Sequence, residues 1–362
     1  MDDVGTQLRV AREAAGLSLA QMARMTRYGK SYLGNVETGR RRATPGVVLA
    51  YQRALGDDMD RRAMLTGLTA GLVAPAAVGE LIQRGFAAAL ADRGADDEWQ
   101  HRAEGYGHDY MTTGAGELQR HLAADLVVLQ QQLETPAMWA VAARLLTVYG
   151  KTTPGAREAA RWYRLAALAA DRSGDTPVRV WVRGRAALAL AYEGAGLATA
   201  STLAGQALAL SERASLGMLN AQMALAHAAA HRGDPPGALV HLDDARRTFD
   251  TAGSDEQVSD FAVPQWRMAT FTSMLLSRLG HPGAVAAQDE ADAARPASLP
   301  RFATHIQLHR GLMLVRSGDV ATGVDHARTA LAALPPERHS LSLRMMLDEV
   351  ERLANGRTDR AS

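Results

Sequence analysis

From residue 136 onward the sequence keeps returning to one pattern: an apolar helical stretch, a glycine, then a second helical stretch. The glycines are Gly150, Gly196, Gly233, Gly280 and Gly318, at spacings of 46, 37, 47 and 38 residues. A hairpin of two helices cannot bury its apolar face alone, so units recurring at this period must stack on their neighbours into a solenoid. The pattern is plainest in MLNAQMALAHAAAHRGDPPGALVHLDDARRTFD, residues 218–250. There Leu225, Ala226, Ala229, Ala238, Leu242 and Ala245 fall at helical spacing on either side of Gly233-Asp234. Aromatic residues are only 5% of the chain, while alanine, leucine and glycine are plentiful. That composition suits small-residue helix packing and argues against a sheet, whose strands want β-branched and aromatic side chains. The expected fold is all-α.

The first 56 residues differ from the rest in charge. They hold nine basic residues, among them Arg9, Arg12, Arg24 and Arg53, against the four acids Asp2, Asp3, Glu13 and Glu37, a balance of +5. The whole chain is +1, so the other 306 residues carry −4. A small basic head on a mildly acidic body reads as a nucleic-acid module joined to something else. The helical signals within the head are short. Val4, Leu8 and Ala11 line a first helix that Gly16 ends, and Ser18 with Gln21 forms a capping box for a second. Leu19, Met22, Ala23 and Met25 supply the apolar face of that second helix. A third runs from about Lys30 to Thr38, with Leu33 and Val36 inward and Gly39 as its C-terminal glycine. Thr44-Pro45 opens a fourth, in which Val48, Leu49 and Leu55 can pack back. Two short helices joined by a tight turn in such a unit is helix-turn-helix geometry.

Residues 4–55 resemble the Cro/repressor-type (XRE) helix-turn-helix family, with Gly16 at the turn and Val36-Glu37-Thr38-Gly39 closing the third helix. Two positions depart from it: Leu19 stands where a phosphate-binding glutamine is frequent, and Gly29 where a capping serine is common. The resemblance implies that the start of the third helix enters the major groove of a double-stranded DNA operator. Lys30, Ser31 and Tyr32 occupy those positions, with Asn35 one turn on along the same face. Lysine donates to guanine and asparagine pairs with adenine, whereas Arg27, Arg40, Arg41 and Arg42 would meet phosphates. The same residues would also serve a three-helix protein-interaction module with a solvated basic face.

The middle of the chain is less legible. Asp57, Asp58 and Asp60 mark a boundary. DRRAMLTGLTAGLVAPAAVG, residues 60–79, has the twin arginines and small-residue apolar run of an export signal, but it follows a folded basic segment. It is expected to be a packed helix or linker, leaving the protein in the cytoplasm. Leu118, Leu122, Leu126, Leu129 and Leu133 form a near-heptad seam, read equally well as a homodimer interface or as an internal core helix. The expected domains are a head over 1–56, a helical linker or dimerisation region over 57–135, a repeat domain over 136–355 and a flexible tail over 356–362.

The repeat region over residues 136–336 resembles five tetratricopeptide units, with Trp139 at the usual tryptophan position of the first and Arg338 to Leu353 as a capping helix. Gly311, Leu314, Gly318-Asp319, Ala327, Ala330 and Pro335 fit a further unit; the one starting at Trp266 is poor in its second helix. HEAT-like or unrelated helical hairpins would give the same pattern. In such an α-solenoid the first helix of each unit lines a concave groove. The residues expected there are Arg144, Arg183, Glu193, Asn220, Met223, His227, His231, Arg267, Met274, Arg278, His305 and Arg316. Their mixture of cationic, polar and soft apolar groups suits a peptide or small-molecule effector with an acidic group.

Other chemistry is not expected. There is no cysteine, and the i,i+4 pair His227/His231 lacks the glutamate of a zinc-protease motif, so no metal site is assigned. YGKTTPG, residues 149–155, lacks the spacing of a phosphate-binding loop. No nucleophile elbow or dinucleotide fingerprint occurs, and neither an enzyme nor a cofactor is expected. No apolar run is long enough to span a membrane. The domain order instead implies a transcriptional regulator whose repeat domain senses an effector, or else a DNA-localised scaffold whose repeat domain docks a protein partner.

Overall fold

The computed structural model describes residues 4–14, 17–26, 28–41, 43–44, 47, 50–51, 54 and 95–361. Arg27, Arg42, Pro45, Val48, Leu49, Leu55 and the whole of 60–79 lie outside the described residues. Among the described residues every regular element is helical. The chain divides into two compact units, 1–78 and 79–362.

The first unit contains α1 (Val4–Ala14), α2 (Leu19–Thr26) and α3 (Lys30–Glu37), with positions 47, 50, 51 and 54 also helical. The capping box is present: the Ser18 N–H donates to Gln21 Oε1 at 2.8 Å and the Gln21 N–H to Ser18 Oγ at 3.3 Å. Gly39, at φ +71°, ends α3 in the left-handed region. Leu8, Met22, Leu33, Val36, Val47 and Tyr51 make the core. Val4 and Met25, expected inward, are instead 38% and 50% exposed. Helices this short bury only a narrow stripe, and Leu8 and Met22 fill it. At Gly34 a Cβ would come 3.3 Å from Leu19 Cδ2, so Leu19 is occupied in packing α2 against α3.

A buried ion pair pins these helices together. Arg12 donates from Nε and Nη2 to the two carboxylate oxygens of Glu37, both at 2.7 Å, and the Tyr51 hydroxyl donates to Oε1 at 2.7 Å. Glu37 therefore fixes α1, α3 and the helical turn at Tyr51 at one point. Glu37→Ala leaves the buried Arg12 with only the exposed Glu13, 3.3 Å away, as a counter-charge, and is expected to cost the first unit on the order of 3 kcal/mol. Limited proteolysis of the full chain checks this. Cleavage within residues 4–54 should rise at least tenfold with cuts beyond residue 95 unchanged; an unaltered pattern would refute the pin.

The second unit starts with α4 (Ala95–Thr112) and α5 (Ala115–Leu129), which pack on α6 (Pro136–Thr152). The leucine seam is spent inside the chain: Leu118, Leu122 and Leu129 are buried, and Leu126 and Leu133 partly so, against Trp99, Tyr106, Leu145 and Val148. The expected boundary at 135/136 thus falls between helices that share one core. Five helical hairpins follow, each pairing a first helix with a second. They are α6 with α7 (Ala156–Ser173), α8 (Thr176–Tyr192) with α9 (Leu197–Leu210), and α10 (Leu216–His231) with α11 (Pro235–Ala252). The last two are α12 (Gln265–Leu279) with α13 (Ala284–Ala294), and α14 (Pro300–Ser317) with α15 (Val320–Ala332). A short 3-10 turn at Pro336–Arg338 leads into α16 (Leu341–Ala361), which closes the stack and continues through most of the residues expected as a tail.

Local sequence sets these boundaries. Thr135, Asp175, Ser215 and Asp234 cap α6, α8, α10 and α11 by accepting from the N–H three residues on, and Pro136, Pro177 and Pro235 occupy first-turn positions. Gly196, Gly233, Gly280 and Gly318 take positive φ at the hairpin bends. Gly150 does not. It lies inside α6, where a Cβ would meet the Tyr163 ring at 2.6 Å, and the helix continues to Thr152 before Pro154 stops it. The second helices are one-sided: α11 buries Ala238, Leu242, Ala245 and Thr248, a single stripe. First helices are buried much more completely. Every residue of α12 from Trp266 to Arg278 is buried. The close approach of α8 to α10 depends on missing side chains, since a Cβ on Gly184 would come 2.0 Å from the Gly217 carbonyl oxygen.

Candidate functional site

On the first unit, Lys30, Ser31 and Asn35 are exposed along α3, and Arg40 and Arg41 are exposed just beyond it. Gly29 caps α3 with extended backbone and no side-chain hydrogen bond, leaving N–H groups at the positive end of the helix dipole available to an anion. Tyr32 is less free than expected. Its half-buried ring stacks on Tyr28 at 5.5 Å, and the Arg41 guanidinium lies over it at 4.7 Å. Tyr32 thus holds Arg41 beside α3, and Lys30, Ser31 and Asn35 are the side chains left open along that helix.

In the second unit the expected groove residues are not gathered on an open surface. Asn220, Met223 and Met274 are buried in the core. Arg183, itself buried, pairs with Asp171 of α7 at 2.7 Å. Arg144 lies 6.0 Å from the Phe261 ring. His231 abuts Gly194, and Arg316 runs past Gly280. Arg278 is paired bidentately with Glu349 of α16 at 2.8 and 2.7 Å; it also donates to the Tyr192 carbonyl and to Nδ1 of His227. The reason is the stacking itself: first helices seated on one another, and on the loop between α11 and α12, bury the face an open superhelix would present.

Glu193, Arg267 and His305 do meet, at a cavity of about 60 Å³. Its other charged walls are Lys151, Arg185 and Arg301, with Tyr110, Tyr192, Phe271 and Phe302 beside them. One carboxylate anchors the cations. Asp260, on the loop before α12, receives Lys151 Nζ at 2.5 Å, Arg185 Nη2 at 2.9 Å and Arg267 Nη2 at 3.1 Å, all on Oδ1. Lys151 Nζ also sits 3.4 Å from the centre of the Tyr110 ring, a cation–π contact. Arg301 covers the same ring at 4.7 Å and donates to the Tyr110 carbonyl at 2.5 Å.

Electrostatics follow from burial. Burial would raise the Asp260 carboxyl, but Arg185, Lys151 and Arg267 overcome it and hold the group far below the usual carboxylate range. Burial, reinforced by Arg185, pushes the Lys151 ammonium well below its ordinary value. Glu193 is raised to about 7 by burial, against the pull of Lys151 and Arg185. His305 is lowered to about 3 by burial and by Arg301. Behind the cavity, the Tyr192 hydroxyl is 3.0 Å from Nε2 of His309, whose Nδ1 is 2.6 Å from Ser273 Oγ.

Lys151, Arg185, Arg301 and Asp260 were not among the expected site residues. A signal for them exists: each is a charge set in an apolar or aromatic stretch, as in VWVRGRAALALAY, residues 180–192, and SDFAVP, residues 259–264. Charges so placed are buried only with distant partners.

Residues 3–65 match the family model of a helix-turn-helix domain. No curated protein and no solved structure matched the chain. The head is thus a helix-turn-helix domain, which supports a DNA-binding regulator. Among the described residues no helix is long and apolar enough to cross a membrane.

Proposed function

We propose that the chain is a sequence-specific transcriptional regulator of the Cro/repressor (XRE) type, whose tetratricopeptide-like body senses a small-molecule effector and alters operator binding. The observation that carries the DNA part is the exposed row Lys30, Ser31, Asn35 with Arg40 and Arg41 beside it. A small, partly open cavity with converging charged side chains supports a small molecule over an extended peptide or a docked protein, which would need a long groove. The protein acts in the cytoplasm, without catalysis or cofactor, as a homodimer reading two half-sites about 34–36 Å apart or a multiple. With the leucine seam of α5 consumed internally, dimerisation uses another surface.

Selection of genomic fragments by the full-length protein tests this reading. The wild type should enrich one two-fold site. Lys30→Ala and Asn35→Ala should each weaken that site by about 1–3 kcal/mol and relax the base preference at one position. Arg40→Ala should weaken all sequences alike and lower the salt slope by about one. Equal, featureless retention by wild type and variants would reduce the head to an electrostatic anchor and bring the scaffold reading forward.

A further inference from the structure

We propose that the cavity of the second unit binds a small oxyanion, a carboxylate or phosphate on a molecule of roughly four to six non-hydrogen atoms. This rests on the effector reading above and gives the effector a chemical class.

Charge selects the class. Lys151, Arg185, Arg267 and Arg301 line the space together with one carboxylate, Glu193, while Asp260 lies behind them. Three arginines alone outnumber the two carboxylates, so the wall is net positive whatever the protonation of Lys151 and Glu193. Buried charge is costly unless countered, and an anion placed here meets cations already desolvated and held in position. Donor capacity remains as well: the Nε atoms of Arg185 and Arg267 are buried and have no hydrogen-bond partner among the described residues. Guanidinium groups offer the planar fork that suits carboxylate and phosphate oxygens.

Size and shape narrow it further. About 60 Å³, where one enclosed water occupies about 10–15 Å³, suits a small acid, or the acidic end of a molecule, better than a whole peptide or nucleotide. Leu188, Ala189, Phe271 and Phe302 form an apolar side. A short-chain carboxylate would use both walls, and a bare phosphate only the cationic one.

The position ties binding to the solenoid. The lining side chains come from α4 (Tyr110), α6 (Lys151), α8 (Arg185), α12 (Arg267), α14 (Arg301) and α16 (Ser342). A bound anion lowers the repulsion among cations on separate helices and so sets the spacing between hairpins. Tyr192 connects this wall to α16, because its carbonyl accepts from the Arg278 that pairs with Glu349.

The test is thermal unfolding of the full-length protein with sodium butyrate, sodium phosphate, butyramide and sodium chloride at matched ionic strength. A saturable rise in midpoint of several degrees with butyrate or phosphate, absent with butyramide and chloride, is expected. Response to butyrate alone assigns a carboxylate, and response to phosphate alone a phosphate. Arg301→Gln, which leaves the Asp260 cluster intact, should weaken the effect at least tenfold; Ala189→Met, which fills the apolar side without removing charge, should do the same. No saturable shift with either oxyanion up to ~10 mM, or equal shifts with chloride, overturns the proposal, as does an undiminished response in both variants. Operator retention measured on the same preparation separates the two readings: retention without an oxyanion effect removes the ligand assignment and leaves the DNA reading standing.

Discussion

Asp260→Ala is expected to destabilise the second unit by at least 3–5 kcal/mol, a large part of a domain's total stability. Three cations converge on Oδ1 of this residue, and Asp260 itself is 2% exposed. Removing the carboxylate leaves Lys151, Arg185 and Arg267 buried together with Glu193 as the one acidic group left on the cavity wall, a heavier burden than breaking a single buried pair. It also frees the loop between α11 and α12, since Arg267 holds the Ser259 and Ala262 carbonyls at 2.9 and 2.5 Å. Urea unfolding followed by tryptophan fluorescence isolates the effect, because all five tryptophans lie between Trp99 and Trp266. Adding Lys151→Met should recover part of the loss, giving a non-additive cycle. A loss below about 1 kcal/mol would mean that the cluster is hydrated and inexpensive to break.

The second large effect is acid sensitivity of the same unit. His227, His305 and His309 are buried and His231 is partly so. Burial lowers all four: His231 to about 4, His305 to about 3, and His227 and His309 well below the ordinary value, with Arg278 or a second histidine adding to it. Each stays neutral in the folded chain at a pH where the unfolded chain takes up a proton. The unfolded state therefore binds more protons, and stability falls as pH drops from 6.5 toward the folded values. At pH 5 each histidine contributes a loss of about 2 kcal/mol at most. Glu193, raised to about 7, acts oppositely: folding favours its protonated form, so it loses stability as pH rises through roughly 4.5 to 7 and offsets one histidine's share. The net expectation is a loss on the order of 4–6 kcal/mol between pH 7 and pH 5. Below the ordinary carboxylate range Asp260 adds to it, since its depressed value means stability lost as that group takes up a proton. Urea midpoints at pH 7.0, 6.0 and 5.0 provide the measurement; a flat series would show that water reaches these rings.

Much of the architecture is written locally. The capping box at Ser18 and Gln21, the start of α3 at Lys30 and its end at Gly39 depend on residues within one helical turn of each other. The same holds for Thr135, Asp175, Ser215 and Asp234 at the helix starts, and for Gly233, Gly280 and Gly318 at the bends. Gly150 shows the limit of this reading. Its spacing matches a bend, but contact with Tyr163 on α7 makes it a packing glycine. The leucine seam shows it again, because a stripe at heptad spacing is the same whether its partner is Leu145 of the same chain or a second copy.

Sequence alone determined that the chain is helical, where most of its bends fall, that a basic helix-turn-helix head precedes stacked hairpins, and that Lys30, Ser31 and Asn35 stand exposed on α3. Tertiary structure decided which face of the first helices is open. With α8 and α10 in contact at Gly184 and Gly217, residues expected on a groove became core, and only Glu193, Arg267 and His305 reached the cavity. The cluster itself joins Lys151, Arg185 and Asp260 across separations of 34 and 75 residues. Helical periodicity and capping act over three or four positions and leave their mark in the order of residues. A buried ion cluster is fixed by the angle at which hairpins stack, which sums many small packing contacts and has no short-range signature.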